Sequence, residues 1–372
     1  MLVVCVPNLF FFFFLVCVCV FWLLFPREGF TEKQKQQRMP PTALVVGQSV
    51  MKAFQHLSTQ DLHTRRVEEA YRVVVECITA VDPAMRLYMF GSTAVYGVHE
   101  KGSDVDFVAL SKTDVEDGKG EDAGTQVAKG LQAEFLGKLA RVVRQKHLSW
   151  NVEEVRRTRV PVIRVKGGSS VDFDITVNRR NGVRNSALLR AYFEQDPPCR
   201  WLSMGVKRWS KRAGLNASVV GGSITSYGFN LMVVYYLLQR GALRFIEPHA
   251  IDVANVAPVP PYLPLEPPRN DGAELGEQVL DFLAFYMHEF DAARHVVSLS
   301  RPGITTKEQL NWTKNAEDLA RMNGEKINYQ WCIEDPYELN LNVGRNVTPL
   351  KRDFLRKHLE KARETALLTT TE

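Results

Sequence analysis

Two pairs of aspartates, each with the spacing Asp-x-Asp, lie in apolar, strand-like segments of this chain. Asp104 and Asp106 form the first pair, and Asp172 and Asp174 form the second. Residues two apart on a strand point to the same side, so each pair presents its carboxylates together. Close carboxylates repel each other unless a cation lies between them, and Mg²⁺ and Mn²⁺ prefer oxygen ligands. Three carboxylates from two adjacent strands can hold two such ions, as nucleotidyl transfer requires.

A glycine-serine turn upstream argues against the alternative, in which an aspartate pair only caps a surface strand. Gly91-Ser92 follows the apolar run that ends at Phe90, and 11 residues lie between Ser92 and Asp104. Glycine lets the backbone approach a phosphate closely, and the serine and amide N–H groups can bind it. A Gly-Ser turn, an Asp-x-Asp pair and a later strand aspartate, in this order, resemble the signature of the polymerase-β-type nucleotidyltransferase superfamily.

The segments around these residues predict a mixed α/β region followed by a mainly helical one. Helical periodicity covers 61–79 and the stretch from Leu131 to Val143, and an acidic, glycine-rich loop covers 114–124. Six prolines in 257–268 predict a surface loop. Strands are predicted at 87–90, 104–110, 160–165 and 171–177, the last two as a hairpin, and further helices at 185–194, 203–213, 223–240, 274–290 and 350–366.

Composition excludes several classes of protein. With 372 residues, 45% hydrophobic and 24% charged, the chain is long enough for two domains and is not a disordered, collagen-like or coiled-coil protein. A net charge of +5 permits a nucleic-acid partner without requiring one. Six scattered cysteines predict reduced thiols, because neither a disulfide scaffold nor a zinc site has this spacing.

The first 38 residues differ from the rest, because residues 1–25 are apolar except for Asn8. We interpret this leader as a mis-assigned start, since its residues have codons rich in T and G, and we expect the protein to begin at Met39. The alternatives are a membrane anchor, favoured by basic residues that follow the stretch, and a secretory or organelle signal. We expect a cytoplasmic protein, or a membrane-anchored or organelle-targeted one if residues 1–25 are genuine.

Further motifs narrow the resemblance. The segments 90–92, 103–106 and 171–175 are similar to the superfamily, and 181–186 resembles the linker of the noncanonical poly(A)/poly(U) polymerases. The segments 333–338 and 342–347 resemble their nucleotide recognition motif, and the whole of 39–372 is similar to the minimal terminal uridylyltransferases of trypanosomatid protozoa.

This resemblance implies an α+β, bipartite fold with the active site in the cleft between two domains. The implied order is an N-terminal helical segment at 39–75, a catalytic domain with a small mixed sheet at 76–182, and a helical domain at 183–372 that carries the recognition motif at 333–347.

The implied activity is template-independent addition of UMP from UTP to RNA 3′-hydroxyl ends, with release of pyrophosphate and two Mg²⁺ or Mn²⁺ ions. Strand alternation permits either Asp172 or Asp174 as the third carboxylate. The resemblance selects Asp174, so that Asp104, Asp106 and Asp174 are the implied catalytic and metal-binding residues.

Nucleotide contacts are predicted from residue chemistry together with the resemblance. Lys207 and Lys211 share a helix face and suit phosphates, although a solvated basic face is the alternative. The segment 223–227 opens the predicted helix 223–240, where free N–H groups and hydroxyls bind anions, and Ser226 is the candidate for the γ-phosphate. Tyr227 is expected to stack on uracil unless it is a core residue. The complete predicted set is Phe90, Gly91, Ser92, Ser103, Gly182, Asn185, Ser186, Lys207, Lys211, Ser226, Tyr227, Asp335 and Glu338.

Two carboxylates in the recognition motif are candidates for reading the base. Uracil carries an N3–H donor, whereas cytosine has an acceptor at N3. Asp335 and Glu338, directly or through a held water, would accept from uracil and oppose cytosine. Helix capping by Asp335 is an alternative role that is compatible with this one.

RNA contacts are weakly specified. Many arginines surround the aspartates, and Arg159 and Arg345 are the candidates. Because RRM, KH and zinc-finger patterns are lacking, we expect weak RNA choice, or choice supplied by an RNA-targeting protein. The expected partners are UTP and an RNA 3′ end, with no DNA and no membrane, for a monomer. Rival interpretations are a poly(A) polymerase, an inactive RNA-binding relative and a small-molecule nucleotidyltransferase.

Overall fold

The computed structural model describes residues 41–59, 61–100, 102–112, 115, 126–156, 160–167, 171–218, 220–324 and 327–365. The leader at 1–38, Met39, the acidic loop at 114–124 except residue 115, and Arg159 lie outside these residues. Pro41–Glu372 forms one compact unit. Over the described ranges, no helix is long and apolar enough to cross a membrane.

A five-stranded mixed sheet has the order β1-β2-β5-β4-β3. Only β2 and β5 pair in parallel among the described strands of this sheet, and their register places Asp106 directly opposite Asp174. The predicted hairpin is present as the antiparallel pair β4 and β5. Sequence periodicity missed β3, an edge strand that carries Glu153 and Glu154. The strands are β1 (Arg86–Phe90), β2 (Val105–Leu110), β3 (Asn151–Val155), β4 (Val162–Lys166) and β5 (Phe173–Val177).

Helices surround this sheet and form the second half of the fold. A π-helical turn at Phe285–Glu289 extends α8, which accounts for the longer helix predicted at 274–290. A two-stranded ribbon joins β6 (His295–Val296) and β7 (Thr305–Thr306). The helices are α1 (Pro41–Phe54), α2 (Asp61–Val81), α3 (Gly91–Tyr96), α4 (Gln126–Lys146), α5 (Arg180–Gln195), α6 (Cys199–Arg212), α7 (Ser226–Gln239), α8 (Ala273–Ala284), α9 (Lys314–Met322) and α10 (Pro349–Thr365).

Two hydrophobic cores support the site from opposite sides. On one face of the sheet, Val74 of α2 and Leu139 of α4 pack with the strand residues Phe107 and Ile175. The larger core joins α1 and α3 to the helices from α5 to α8 and to α10. Tyr235 and Tyr236 are buried there, as predicted. The α+β fold with a small mixed sheet and a helical half is confirmed.

Buried guanidinium groups hold the proline-rich segment 257–268 against this helical core. Arg200 Nη1 donates to Tyr96 O at 3.0 Å and to Leu263 O at 2.9 Å. Arg190 Nη2 donates to Pro261 O at 3.0 Å. Since prolines lack N–H groups, carbonyl oxygens are what this segment can offer. The predicted loop is therefore irregular and mostly exposed, yet fixed in place.

Helices α1 and α8 approach each other so closely that glycine is required at the contact. A Cβ at Gly276 would lie 1.7 Å from Ala43 O, and one at Gly47 would lie 1.7 Å from Gly272 O. Backbone atoms cannot move aside as a flexible side chain can. The N-terminal helix is thus fitted to the helical half of the fold, although it precedes the sheet in sequence.

We expect Gly276→Ala to destabilise the protein by about 1–3 kcal/mol or more, because the added methyl group forces α1 away from α8. Gly130→Ala is the matched control, because a Cβ there meets nothing within 4 Å in α4. That change should stabilise the protein by about 0.5–1 kcal/mol through helix propensity. Urea unfolding of both variants measures the difference, and equal free energies of unfolding would contradict the tight helix contact.

Candidate functional site

A cavity of about 570 Å³ lies where the ends of β1 and β2 face α5, α6 and α7. Gly91 and Ser92, together with Asp104 and Asp106, form one wall, and the lysines of α6 form another. Its lining includes Phe90, Gly91, Ser92, Ser103, Asp104, Asp106, Gly182, Asn185, Ser186, Lys207, Lys211, Ser226 and Tyr227. Residues predicted from distant parts of the sequence therefore meet in one cavity.

The carboxylate group is held by the parallel pairing of β2 and β5. Asp106 is level with Asp174 on β5 and with Phe90 on β1. Burial, together with the negative charges of Asp174 and Asp104, raises the pKa of Asp106 to about 7. Such an accumulation of buried negative charge favours a bound cation, and an all-carboxylate donor set suits Mg²⁺ or Mn²⁺.

These carboxylates are not yet arranged around one point. Arg164, opposite Asp174 on β4, donates from Nε to Asp174 Oδ2 over 3.3 Å. Burial raises the pKa of Asp174, and Arg164 offsets part of that rise. In the described part of the chain, no three acidic, histidine or cysteine side chains converge as ready-made metal ligands. The residues present fit divalent cations by donor type, and Arg164 offsets part of the negative charge of Asp174.

Asp172 has a different role from Asp174 in this structure. Its Oδ1 accepts a hydrogen bond from Gly167 N over 3.0 Å, which closes the turn between β4 and β5. Asp174 instead stands opposite Asp106. The register thus supports Asp174 as the third member of the carboxylate group, a choice that strand alternation left open.

Gly91 is required by the close approach of α3 to Asp106. Its φ is +73°, and a Cβ there would lie 1.9 Å from Asp106 Oδ2. Gly91 N donates to Ser186 Oγ over 2.9 Å, and Ser186 Oγ donates to Gly182 O over 2.8 Å. The predicted turn is in fact the first turn of a helix, and Ser186 connects it to α5. The hydroxyl hydrogen of Ser186 is therefore used within the protein.

Lysines and a helix start form the cationic end of the cavity. Lys207 is buried, and its Nζ lies 3.7 Å from Glu100 Oε2. Burial lowers the pKa of Lys207, while Glu100 opposes that shift. Ser226 is the first residue of α7, which Thr225 caps by accepting from Gly228 N. Cations and free N–H groups at one end of a cavity suit a polyanion such as a triphosphate.

The part of the wall formed by Tyr227 and Asn185 is organised by Asp335, which is buried. Its Oδ2 accepts from Tyr227 OH at 3.1 Å and from Asn185 Nδ2 at 3.2 Å. Its Oδ1 accepts from the backbone N–H groups of Tyr337 and Glu338, both at 2.9 Å. No helix begins here in the described residues, so Asp335 closes a turn at 335–338 and the predicted helix cap is wrong, while the same carboxylate orients two residues of the cavity wall.

Asp335 holds both Tyr227 and Asn185 in place, and both residues line the cavity, where a ligand can reach them. Burial and the nearby Asp335 raise the pKa of Tyr227 well above its usual value, so the phenol is neutral and donates. Asn185 Oδ1 is buried, and among the described residues it meets no hydrogen-bond donor. A buried acceptor without a partner costs free energy unless a ligand supplies the donor.

Some predicted residues lie outside the cavity wall. Asp174, Asp335 and Glu338 are not among its lining residues, and Glu338 pairs with Arg179 over 3.1 Å. Arg345 lies in the turn that follows Asn342. Sequence reasoning missed several lining residues, although the helix start at 223–227 could have indicated Thr225. The missed residues are Val95, Tyr96, Gly102, Leu189, Ser218, Thr225 and Asn230.

We expect Asp106→Asn to make the metal-free protein more stable than wild type, increasingly so at higher pH. The raised pKa means that the folded protein holds an extra proton between pH ~4 and 7, so wild-type stability falls as pH rises through this range. An amide cannot ionise and escapes the loss. The advantage in Tm should grow by several degrees from pH 5 to 8, at roughly 2–4 °C per kcal/mol.

Thermal unfolding in EDTA at several pH values measures this advantage. Asp172→Asn is the control, because Asp172 bonds to Gly167 N and lies apart from the carboxylate group. A Tm difference between Asp106→Asn and wild type that stays constant with pH would contradict the buried-charge account.

Comparison with known proteins agrees with this geometry. A family model described as the central palm domain of mitochondrial-like poly(A) RNA polymerase matches residues 46–194. A second, described as Cid1 family poly A polymerase, matches residues 274–341. The chain is 76% identical over 331 residues to terminal uridylyltransferase 4 of Trypanosoma brucei brucei, covering 89% of this chain and 99% of that protein.

Solved structures of the Trypanosoma brucei protein have the same fold. One with bound UTP and UpU has a TM-score of 0.82 and 73% identity, covering 89% of this chain and 100% of that one. Another with bound CTP has a TM-score of 0.84 and 74% identity, covering 88% and 99%. By its fold, its cavity and this identity, the chain belongs to the terminal uridylyltransferases, a family of nucleotidyltransferases.

Proposed function

We propose that this protein transfers UMP from UTP to the 3′-hydroxyl of RNA and releases pyrophosphate, without a template. The observation that carries the proposal is that one cavity has carboxylates on one wall and two lysines on another. Nucleotidyl transfer needs both, because charge must be balanced at the attacked phosphorus and on the leaving group. Family membership and the UTP and UpU bound to the Trypanosoma brucei relative support the same reaction.

Asp104, Asp106 and Asp174 would hold divalent cations, Mg²⁺ or Mn²⁺. When bound, two such ions activate the attacking hydroxyl and stabilise the leaving pyrophosphate. The protein contributes the alignment, because the β2–β5 register and the glycine at position 91 bring α3 against Asp106. Phosphate oxygens can then approach the backbone of Gly91 and Ser92, where no side chain of residue 91 intervenes.

UTP would lie with its phosphates toward α6 and its base toward α7. Lys207, Lys211 and Ser226 supply a cationic, hydrogen-bonding end for the β- and γ-phosphates. Tyr227 offers its ring to the uracil while its hydroxyl is bound to Asp335. Asn185 Oδ1, a buried acceptor, would take a hydrogen bond from the ribose 2′-OH.

Base choice would depend on Asp335 and Glu338 at the uracil edge. Asp335 already accepts from Tyr227, Asn185 and two backbone N–H groups, so it would act on uracil N3–H through a held water. The same Trypanosoma brucei relative has been solved with CTP bound, so occupancy of the cavity alone does not decide the base. Selectivity should therefore be measured as kcat/KM.

The RNA contacts are proposed from the positive charge of two arginines. Arg159 and Arg345 remain candidate RNA contacts, and Arg345 is half-buried within the recognition motif. An RNA-targeting partner, a monomeric state and a cytoplasmic location also stay predictions of the sequence. These proposals are independent of the nucleotide cavity.

The function is tested with a short labelled RNA, Mg²⁺ or Mn²⁺, and each nucleoside triphosphate alone. Extension with UTP in preference to the other three is expected. Extension mainly with ATP would support the poly(A) polymerase alternative, and no extension with any triphosphate would support an inactive relative.

We expect alanine at Asp104, Asp106 or Asp174 to abolish nucleotide addition while the fold is kept, because losing one carboxylate unbalances both cation sites. Asp172→Ala should retain most activity, since that side chain closes a turn. Rates of RNA extension and circular dichroism of the four variants provide the measurement. An active Asp174→Ala beside an inactive Asp172→Ala would reverse the assignment of the third carboxylate.

A second prediction separates the base end from the phosphate end. Asp335→Ala or Glu338→Ala should lower the UTP/CTP ratio of kcat/KM by roughly ten- to a hundredfold, because the N3–H acceptor is lost and cytosine is no longer opposed. Lys211→Ala, the matched control on the phosphate side, should weaken both nucleotides alike. An unchanged ratio in both carboxylate variants, or a collapsed ratio in the lysine variant, would contradict this separation of base recognition from phosphate binding.

A further inference from the structure

Asn216 lies directly behind the cationic end of the cavity, in the loop between α6 and α7. It is 1% exposed and does not line the cavity. Its backbone N–H donates to Ser210 O at 3.0 Å, and the loop returns to pair Asn216 with Ile224. The side chain thus occupies a fixed position between the helix that carries the two lysines and the start of the next helix.

The hydrogen bonds of Asn216 determine which way its amide faces. Oδ1 accepts from Ser218 N at 3.0 Å, a partner that can only donate. Nδ2 therefore faces the two serines, at 3.2 Å from Ser210 Oγ and 3.1 Å from Ser226 Oγ. Ser210 Oγ donates its own hydrogen to Lys207 O at 2.8 Å, so it is an acceptor toward Asn216. The amide oxygen and both N–H groups of Asn216 therefore have hydrogen-bond partners.

This arrangement sets the polarity of Ser226. Because its oxygen accepts from Asn216, its own hydrogen must point elsewhere, and among the described residues it meets no acceptor. Ser226 lines the cavity beside Lys207 and Lys211. Phosphate oxygens only accept hydrogen bonds at neutral pH, so a hydroxyl fixed as a donor is what they require.

We propose that Asn216 is a positioning residue that turns the Ser226 hydroxyl into a donor for the triphosphate. Through Ser210 and Lys207 O it also fixes the spacing between the lysine helix and the start of α7. This inference rests on the proposed function and adds to it a residue that does not itself touch the nucleotide. Its signature is an effect on the β- and γ-phosphates that vanishes when Ser226 is absent.

The test compares UTP with UMP, which lacks those two phosphates, in binding measurements without RNA. Asn216→Ala should weaken UTP by roughly tenfold while UMP binding changes by less than about twofold. In a Ser226→Ala background the same change should have little further effect on UTP. In RNA extension, KM for UTP should rise while kcat stays near that of wild type.

Two further variants exclude a general loosening of the loop. Asn216→Asp keeps the acceptor for Ser218 N but can only accept from Ser226, so it should weaken UTP at least as much as alanine, and UMP binding measured beside it corrects for the destabilisation that a buried carboxylate causes. Lys351→Ala removes a different tie to the same loop, the bond from Lys351 Nζ to Gly222 O at 3.4 Å, and should leave UTP binding unchanged.

Three results would overturn the inference: equal losses for UMP and UTP in Asn216→Ala, an undiminished loss in the Ser226→Ala background, or UTP binding of wild-type strength in Asn216→Asp. Failure of the proposed function looks different, because the wild-type protein would then not extend RNA with UTP. A wild type that extends RNA, together with additive losses at Asn216 and Ser226, would refute only the role of Asn216.

Discussion

Parallel pairing of β2 with β5 is the constraint on which the site depends, because it places two aspartates side by side where each disfavours the charge of the other. A raised pKa at Asp106 is the direct consequence of that placement and of burial. The surrounding structure compensates with positive charge from two directions, Arg164 on the neighbouring strand and Lys207 on α6. Bound cations and a triphosphate would complete this charge balance at the position that the β2–β5 register sets.

Polar side chains behind the cavity wall connect the sheet to the helical half. Ser186 joins Gly91 to α5, and Asp335 joins Asn185 of α5 to Tyr227 of α7. Buried polar groups of this kind are costly unless they are satisfied, and when satisfied they fix a single arrangement. The residues that would touch the nucleotide are therefore held in place by a second layer of residues that would not touch it. A loss in this second layer should act through geometry and leave the charge of the cavity unchanged.

The sequence was informative wherever the relevant pattern is local. Asp-x-Asp spacing, the glycine-serine pair and the helical spacing of Lys207 and Lys211 placed residues that do line one cavity. Helix ends and the edge strand β3 were less predictable, because tertiary contacts override local periodicity there. The glycine-serine pair predicts a turn, whereas a helix begins at Gly91, whose φ of +73° turns the chain sharply from β1 into α3.

Residues of the second layer could not have been found in the same way. Asn216 and Ser218 have no motif, and their roles arise from the return of one loop onto α6. Likewise, alternation could not separate Asp172 from Asp174, because the turn bond from Gly167 and the register with Asp106 are properties of the folded sheet. The leader at 1–38 and Arg159 lie outside the described residues, so the mis-assigned start and the RNA contact of Arg159 rest on the sequence alone.

Separation of the two ends of the cavity has a consequence for how selectivity can arise. In the proposed binding mode the phosphate end would recognise a feature that all four nucleoside triphosphates share, so its lysines and Ser226 would not discriminate among bases. Discrimination would then come from the residues around Asp335, a buried carboxylate that orients both Tyr227 and Asn185. Since a mismatched base can still stack on Tyr227 and bind through its phosphates, it should enter the cavity and be rejected by misalignment of its α-phosphate. Occupancy by CTP in the Trypanosoma brucei relative is compatible with such rejection after binding.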